Sequence, residues 1–524
     1  MTAMTERPTI DPDALTLDDV RAGALRGRPV AVLGFARSGI ALARFLSDAG
    51  ASVTVYDGRP ASELATAIDA IEGRSVRLLL GPDVEPAAAW TGAALVTTSP
   101  SINPDYPTTE PRLRAALRDL VAARMAGDPA APALVSEPDL FLRLCPAPTV
   151  GVTGTKGKTT TSALTAALLG ADPSHRTVLG GNIGLPIVER LPDLTPDDRV
   201  VYELSELQLP TLSRGTTVAA YTNVTEDHID RHGSLAGYRR VKRRLAELVD
   251  PGGALVLNAE DPVVAGYAAL GTAPAVLYRF DRPLPGGVGV VDGWIVAAGV
   301  GRLELAGGGT APTGPGGRIL PLEELALPGR HNVSNALAAV AAALLLGVAP
   351  DAIRRAAAGF RGVEHRLEPV ALIDGVRFVN DSQGTQPDAV IAALRAFPRP
   401  IVLIAGGRDK GVDLAGLAPV VAERADAAVL IGESGPALEA LFREAGLGRT
   451  ERATTLEAAV ERADAIAREV LAGGGPPGAT AGPATVLLSP AAASFDMFAD
   501  YEARGRAFKE AVAGLARRSG GGDR

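Results

Sequence analysis

The stretch GVTGTKGKTTTS, Gly151 to Ser162, decides how the rest of this chain is read. It begins inside the apolar run TVGV (149–152) and runs into TTTSALTAALLG (159–170), so a strand passes through a Gly/Thr turn into a helix. It closes on Gly157-Lys158-Thr159, as a phosphate-binding loop does. The common form of that loop, G-x-x-x-x-G-K-[ST], requires glycine where Val152 stands. Glycines at 151, 154 and 157 still let main-chain N–H groups approach an anion, and the helix starting near Lys158 aims its positive end at the same point. In that reading Lys158 meets the β- and γ-phosphates and the Thr159 hydroxyl takes Mg2+. The alternative is a Gly/Thr-rich turn with no ligand. Lysine usage weighs against it. Of 52 Lys and Arg only five are lysines, Lys156, Lys158, Lys242, Lys410 and Lys509. A lysine kept in an arginine-rich chain is expected where a compact or deprotonatable amine is required.

Length and composition bound the setting. A chain of 524 residues accommodates about three domains of roughly 150 residues, and 47% apolar residues are enough for several cores. The net charge of −8, with no long basic run, argues against nucleic acid as the main partner. One cysteine, Cys145, excludes an internal disulfide framework and fits a reducing compartment. The polar, acidic start MTAMTERPTIDPDALTLDDV lacks the apolar centre of a signal peptide. The longest apolar stretch, Ala336–Pro350, is too short to span a bilayer and reads as a buried helix. Together these features predict a soluble cytoplasmic protein without membrane insertion, expected to be a monomer.

Outward from the loop, the chain alternates strands and helices. RPVAVLGF (28–35), ARSGIALARFLSDAG (36–50) and ASVTVYD (51–57) form a strand–helix–strand unit of parallel type. Its turn, Gly34-x-Ala36-x-x-Gly39, is one glycine short of the dinucleotide fingerprint, and Asp57 ends the second strand where a carboxylate can meet ribose or base donors. A ligand-free unit is the alternative. Residues 104–137 read as a helix followed by a linker, and a new domain starts near 148. The Gly-rich stretch 285–317 reads as hairpins or a surface excursion, followed by helices at 332–346 and 351–360. A third α/β unit runs from Val370 through IVLIAGG, AAVLIG and TVLLSP. The tract 472–483 reads as a flexible loop.

Other residues extend the loop's chemistry. Glu203 ends the apolar run VVYE and can partner a phosphate-bound Mg2+; the alternative is a strand-end glutamate in solvent. In NVTEDHIDRHGSLAGYRRVKRRLAE a strand end carries His228, and the following amphipathic helix carries Lys242 among Arg239, Arg240, Arg243 and Arg244. Arginine stays protonated in proteins. A lysine of lowered pKa can react as a neutral amine, for instance with CO2 to give a metal-binding carbamate.

These motifs resemble the Mur ligases, ATP-dependent amide-forming enzymes of peptidoglycan synthesis. GVTGTKGKT resembles the loop G-x-[TS]-G-[TS]-x-G-K-[TS], whose glycine spacing differs from the common form. Lys156 stands where asparagine is common. GGNIGLP, ELSELQL, NVTEDHIDRH, LPGRHNVSNALAA, FRGVEHRLE, FVNDSQGTQPDA, AGGRDKG and LSPAAASFDMFADYEARGRAF follow in the family's order, over nearly the whole chain. The similarity is strongest to the members that add D-glutamate to UDP-N-acetylmuramoyl-L-alanine. The resemblance implies an α/β protein of three domains: a Rossmann-like UDP-binding domain (1–148), a P-loop-type ATP-binding domain (149–362) and a Rossmann-like glutamate-binding domain (363–524). It implies a cytoplasmic step of cell-wall biogenesis, and so of cell shape and division, through an acyl phosphate.

Site roles carried by the same resemblance are as follows. Gly154, Thr155, Lys156, Gly157, Lys158, Thr159 and Thr160 hold ATP phosphates, and Thr159 with Glu203 holds a first Mg2+. His228 and a carbamylated Lys242 hold a second Mg2+, with Asn182 close to the reacting centre. Asn332 and Asn335 recognise adenine, His365 and Arg366 meet the nucleotide, and Asp381 bonds the ribose. Thr385, Lys410, Ser494, Phe495 and Tyr501 surround glutamate. Arg37, Ser38, Asp57 and Arg59 hold UDP, so the first unit binds UDP and not NAD. Domain closure follows, because loop residues of the second domain and Asp381 of the third serve one ATP.

Three departures stand out. Gln383 replaces the family's lysine, so a charge is lost there or supplied by another group such as Arg408. Ser101 replaces the glycine of S-P-G. Residues 105–133 have no role the resemblance supplies. The alternatives are a related ligase using L-glutamate or another amino acid, and a P-loop ATPase or switch without ligase activity. A nicotinamide-linked oxidoreductase rests on the first unit alone, and Ala36 undercuts it.

Overall fold

Short apolar runs bounded by Gly, Pro or charged residues form the strands, and they gather into three sheets. The structure, a computed structural model, describes residues 9–183, 186–227, 229–327, 329–408, 414, 416–473 and 482–519. His228, Lys410 and most of the 472–483 tract lie outside the described residues. The chain divides into two compact units, Met1–Phe360 and Arg361–Arg524.

The first sheet contains β1 (Pro29–Leu33), β2 (Ser52–Asp57), β3 (Val76–Leu80), β4 (Leu95–Thr98) and β5 (Ala133–Ser136), all parallel, in the order β3-β2-β1-β4-β5. The linker expected before 137 is thus partly corrected. Residues 111–125 form a helix, but Ala133–Ser136 is an edge strand, and Glu137–Leu144 is a helix capped by Ser136. Only four residues carry that strand, too few for a visible pattern; pairing with β4 decides it.

The second sheet contains β6 (Thr149–Thr153), β7 (Thr177–Gly181), β8 (Arg199–Glu203), β9 (Val218–Tyr221), β10 (Ala254–Asn258), β11 (Ala275–Tyr278), β12 (Val288–Val291), β13 (Trp294–Ala297) and β14 (Arg318–Pro321). Its order is β14-β13-β12-β11-β10-β9-β6-β8-β7, so the loop-bearing β6 lies between β9 and β8. The Gly-rich stretch forms the antiparallel hairpin β12–β13. The apolar run near 336–350 is the helix Arg330–Leu345, buried at every residue from Asn335 to Leu345. Among the described residues no helix is long and apolar enough to cross a membrane.

The first two sheets share a core. Phe141, from the helix after β5, packs edge-on against Tyr202 of β8 with ring centroids 5.2 Å apart. Leu191 and Val188 join the same cluster as Leu42 and Leu46 of the first domain. Arg143 bonds both Asp139 and Asp13, and the Ser213 N–H donates to Asp139 at 2.7 Å.

The second unit holds β15 (Glu368–Ile373), β16 (Val376–Asn380), β17 (Ile401–Gly406), β18 (Ala427–Ile431), β19 (Thr450–Arg452) and β20 (Ala484–Leu488). The order is β15-β16-β20-β17-β18-β19, parallel except for the β15–β16 hairpin. Apolar clusters cover both faces of this sheet, as buried parallel strands require.

Candidate active site

The site grows from the carboxyl ends of β6, β8 and β9. At the end of β6 the chain turns through Gly154 and Gly157 into the helix Lys158–Leu169. Gly157 caps that helix at φ +85°, and a Cβ there would lie 2.5 Å from Asn335 Oδ1. A Cβ on Gly154 would fall 1.9 Å from Thr222 Oγ1. These two glycines therefore serve close approach as well as the turn. The chain after β9 pins the loop from below. Thr155 N–H donates to Asn223 O at 2.8 Å, Lys156 N–H to Asn223 Oδ1 at 2.9 Å, and Thr222 Oγ1 donates to Lys156 O at 2.7 Å. Lys158 Nζ folds back onto Gly154 O and Thr155 O, 3.0 and 2.9 Å away. The first N–H groups of the helix face the loop, the arrangement that binds phosphate.

Glu203 ends β8 in register with Val152 of β6 and Gly181 of β7. It is buried. Oε1 accepts from Asn182 Nδ2 at 3.0 Å, and Asn182 N–H donates to Glu203 O at 3.0 Å. Oε2 is buried with no hydrogen-bond partner among the described residues. A carboxylate oxygen left in that state is costly unless a cation meets it, so its chemistry fits the Mg2+ expected there. Thr159 is buried in the adjoining first helical turn. Among the described residues no three His, Cys, Asp or Glu side chains cluster as a metal site by themselves.

Lys242 is fully buried, at 0% exposure. The helix Leu235–Leu248 is capped by Ser234 and buries Tyr238, Lys242, Leu245 and Ala246, one face at i, i+4, i+7 and i+8. Neighbouring Arg239, Arg240 and Arg243 are exposed. Lys242 Nζ donates to Thr153 Oγ1 at 3.2 Å, and that hydroxyl donates onward to Leu204 O at 2.8 Å. The ring of Tyr238 lies 5.6 Å from Nζ, and its hydroxyl is 3.0 Å from Thr155 Oγ1. Burial, helped by the positive charge of Lys158, pulls the Lys242 ammonium down to about 7. Tyr238 and Thr153 were not singled out in the sequence. The signal was available, since Tyr238, Lys242 and Leu245 share a helical phase.

On the helix Arg330–Leu345, Asn335 accepts from Thr161 Oγ1 at 3.1 Å and donates to Asn332 Oδ1 at 3.2 Å. The two asparagines expected at adenine are thus held together beside the phosphate loop.

A cavity of about 330 Å³ opens at the carboxyl ends of the first sheet. Gly34, Tyr56, Asp57, Ser101, Thr109 and Arg231 are among its lining residues. Of the residues expected at UDP, Asp57 lines it and accepts from Phe35 N–H at 2.8 Å. Burial works against the Asp57 anion, but the Arg59 hydrogen bonds prevail and hold its carboxyl below the usual range. Arg37 and Ser38 open the adjacent helix and are not among the lining residues. The stretch left without a role supplies Thr108, Thr109 and Glu110 to this cavity, and Tyr106 donates to Leu207 O at 3.0 Å. Only the packing of the first two sheets reveals that use.

The second unit brings another set together at the ends of β16 and β20. His365 is buried, its Nδ1 2.9 Å from Asn380 Nδ2, and burial lowers its pKa. Asp381 accepts from Leu367 N–H at 3.1 Å and Ser489 Oγ at 2.6 Å, and burial pushes its carboxyl up to about 6. Arg366 acts electrostatically on Asp381. Gln383 keeps its side-chain oxygen buried, with no hydrogen-bond partner among the described residues. Tyr501 lies edge-on to His365 at 6.3 Å, Ser494 is buried, and Phe495 is 61% exposed. Thr385 closes the turn, its N–H donating to Gln383 O at 2.8 Å.

Comparison with known proteins accounts for this arrangement. Residues 152–343 match the family model of the Mur ligase middle domain, and residues 365–475 that of the Mur ligase glutamate ligase domain. A UDP-N-acetylmuramoylalanine–D-glutamate ligase of Symbiobacterium thermophilum is 38% identical, covering 94% of this chain and 100% of its own. One of Geobacter metallireducens is 39% identical, covering 94% and 98%. Among solved structures, the UDP-N-acetylmuramate-alanine ligase MurC of Thermotoga maritima is 19% identical, covering 93% of this chain and 99% of its own with a TM-score of 0.49. The chain belongs to the Mur ligase family. Within that family its full-length similarity extends to UDP-N-acetylmuramoylalanine–D-glutamate ligases.

Proposed function

We infer that this chain is an ATP-dependent ligase that joins D-glutamate to UDP-N-acetylmuramoyl-L-alanine in peptidoglycan precursor synthesis. The observation that carries the reading is Lys242, a buried amine held against Thr153 at the base of a phosphate loop. A switch or transport ATPase requires no such group. The full-length similarity to D-glutamate ligases agrees with it.

A carboxylate is a poor electrophile. Its oxygen attacks the γ-phosphorus of ATP, ADP leaves, and the acyl phosphate now carries phosphate as a leaving group. The glutamate amine then attacks the acyl carbon, a proton is lost, and expulsion of phosphate leaves the amide. The loop N–H groups and Lys158 bind and orient the phosphates. Glu203 and Thr159 would hold one Mg2+, and His228 with Lys242 a second; bound there, the ions supply neutralisation of charge between phosphate and carboxylate. Lys242 meets CO2 as a neutral amine, forming an N–C bond and releasing a proton, and the resulting carbamate is an anion suited to that ion. Asn182 is assigned to the reacting centre, a role its bond to Glu203 supports. Asp57 belongs to the UDP subsite with Tyr56, Thr109 and Arg231, which line the same cavity, and Arg59, outside that lining, joins it through its ion pair with Asp57. His365, Arg366 and Asp381 serve the nucleotide; Thr385, Lys410, Ser494, Phe495 and Tyr501 serve glutamate. Arg408 supplies the cation that Gln383 lacks. The setting is the cytoplasm and the working form a monomer.

The test is phosphate release from ATP with UDP-N-acetylmuramoyl-L-alanine and D-glutamate, L-glutamate or no amino acid. Release that depends on D-glutamate, with a new amide by mass, is the expected result. Preference for L-glutamate changes the substrate and keeps the mechanism. Release indifferent to acceptor and amino acid removes the ligase reading.

A further inference from the structure

Arg504 is the largest fully buried side chain among the described residues, at 1% exposure. It lies in the first turn of the helix Tyr501–Ser519. Buried guanidinium groups are ordinarily paired with a carboxylate. Among the described residues every acceptor Arg504 uses is neutral. Nε donates to Ser382 Oγ at 3.0 Å and Nη2 to Ser382 O at 2.9 Å. Nη1 reaches Ala493 O at 3.2 Å and Ala492 O at 3.3 Å, and Nη2 shares Ala492 O at 3.3 Å. Asp496 acts on it only at longer range.

These bonds join three chain segments. Ser382 belongs to the turn after β16, Ala492 and Ala493 to the segment after β20, and Arg504 to the last helix. Ser382 Oγ also donates to Tyr501 O at 2.8 Å, closing the ring of contacts. Ala493 O accepts from Arg408 N–H as well, so the same fork steadies the backbone of Arg408. The segments joined are the ones that carry Thr385, Ser494, Phe495 and Tyr501. If the position needed volume alone, an apolar side chain would fill it without the cost of burying charge. The planar fork, which offers five N–H donors in fixed directions, suits the task of holding loop carbonyls in register.

We propose that Arg504 is the positioning residue of the amino-acid subsite. Its guanidinium fixes the Ser382–Thr385 turn against the Ala492–Ser494 segment, so that the side chains on those segments meet one glutamate. The inference rests on the ligase reading above. Asp381 is anchored separately, through its own N–H to Leu488 O and through Ser489 and Leu367. Nucleotide binding is therefore expected to respond far less than glutamate binding.

The experiment is steady-state kinetics of Arg504→Lys and Ser382→Ala beside the unaltered enzyme, with a thermal melt of each. In Arg504→Lys the KM for D-glutamate should rise about tenfold or more, while the KM values for ATP and the UDP substrate stay within about twofold. Ser382→Ala, which removes the hydroxyl that accepts from Arg504 Nε and donates to Tyr501 O but keeps the Ser382 carbonyl, should raise the same KM by about threefold to tenfold. A merely structural role would reduce kcat with the folded fraction and leave all three KM values unchanged. That outcome, or an equal rise in the KM for ATP, overturns the proposal. If Arg504→Lys does not fold, Ser382→Ala decides on the same criteria. Absence of D-glutamate-dependent turnover in the unaltered enzyme defeats the ligase reading itself. Normal turnover there, with an unchanged D-glutamate KM in the variants, defeats this inference alone.

Discussion

Lys242 and Asp381 are both buried and both displaced from their ordinary titration range, in ways that can be measured. Burial pulls the Lys242 ammonium down to about 7, so a large share is neutral amine near physiological pH. Lys242→Ala should abolish turnover, and short-chain carboxylic acids should partly restore it by standing in for the carbamate. Full activity in Lys242→Arg would rule the carbamate out, since a guanidinium cannot lose its proton in this setting. Asp381 is pushed up to about 6 from 3.8, by burial above all. Between those values the folded state holds a proton that the unfolded chain releases. Stability contributed by this group therefore falls as pH rises from about 4 to about 6, and the fold carries a cost of about 3 kcal/mol above that window. Asp381→Asn should melt higher than the unaltered protein at pH 8 and show no such gain at pH 4. A melt that gains equally at both pH values would contradict this. The KM for ATP should rise in the same variant.

The loop and helix after β6 depend on a close approach that side chains would block. Gly154→Ala would push a methyl group against Thr222 Oγ1, 1.9 Å from the ideal position, and shift the segment pinned by Thr222 and Asn223. ATP affinity should fall about tenfold or more, because loop N–H geometry is the binding element. Isothermal titration with a non-hydrolysable ATP analogue checks it; unchanged affinity would mean that the loop tolerates the shift. Strands such as β1, β6 and β17 were legible because each is an apolar run flanked by turn residues. The helix holding Lys242 was legible as amphipathic. The phase Lys242 shares with Tyr238 and Leu245 was in the sequence, but that this face is buried became plain only once the helix was packed. Strand β5 was not legible, since four residues carry no period and β4 supplies its partner.

At the scale of the whole molecule, each unit has its own cores. Residues 361–524 expressed alone should fold cooperatively, with native-like circular dichroism and a sharp melt. UDP should stabilise residues 1–360 against unfolding, by about 2.7 kcal/mol at a hundredfold excess over Kd, and so raise their melting temperature while leaving 361–524 unaffected. Stabilisation of the smaller unit by UDP would contradict the placement of that site at the first sheet.

By itself the sequence determined the α/β class, the order of three sheets, the phosphate loop and the family resemblance. These are local matters: glycine spacing, apolar runs, a helix start. The tertiary structure decided which side chains lost water. It placed Lys242 inside and the adjacent arginines outside, left one oxygen of Glu203 without a partner among the described residues, and brought Thr108–Glu110 to a cavity with Arg231. It also set Arg504 between segments more than a hundred residues apart in the chain. Desolvation and unpaired buried charge depend on neighbours distant in sequence, so the chemistry of these groups was settled only when the sheets and helices packed.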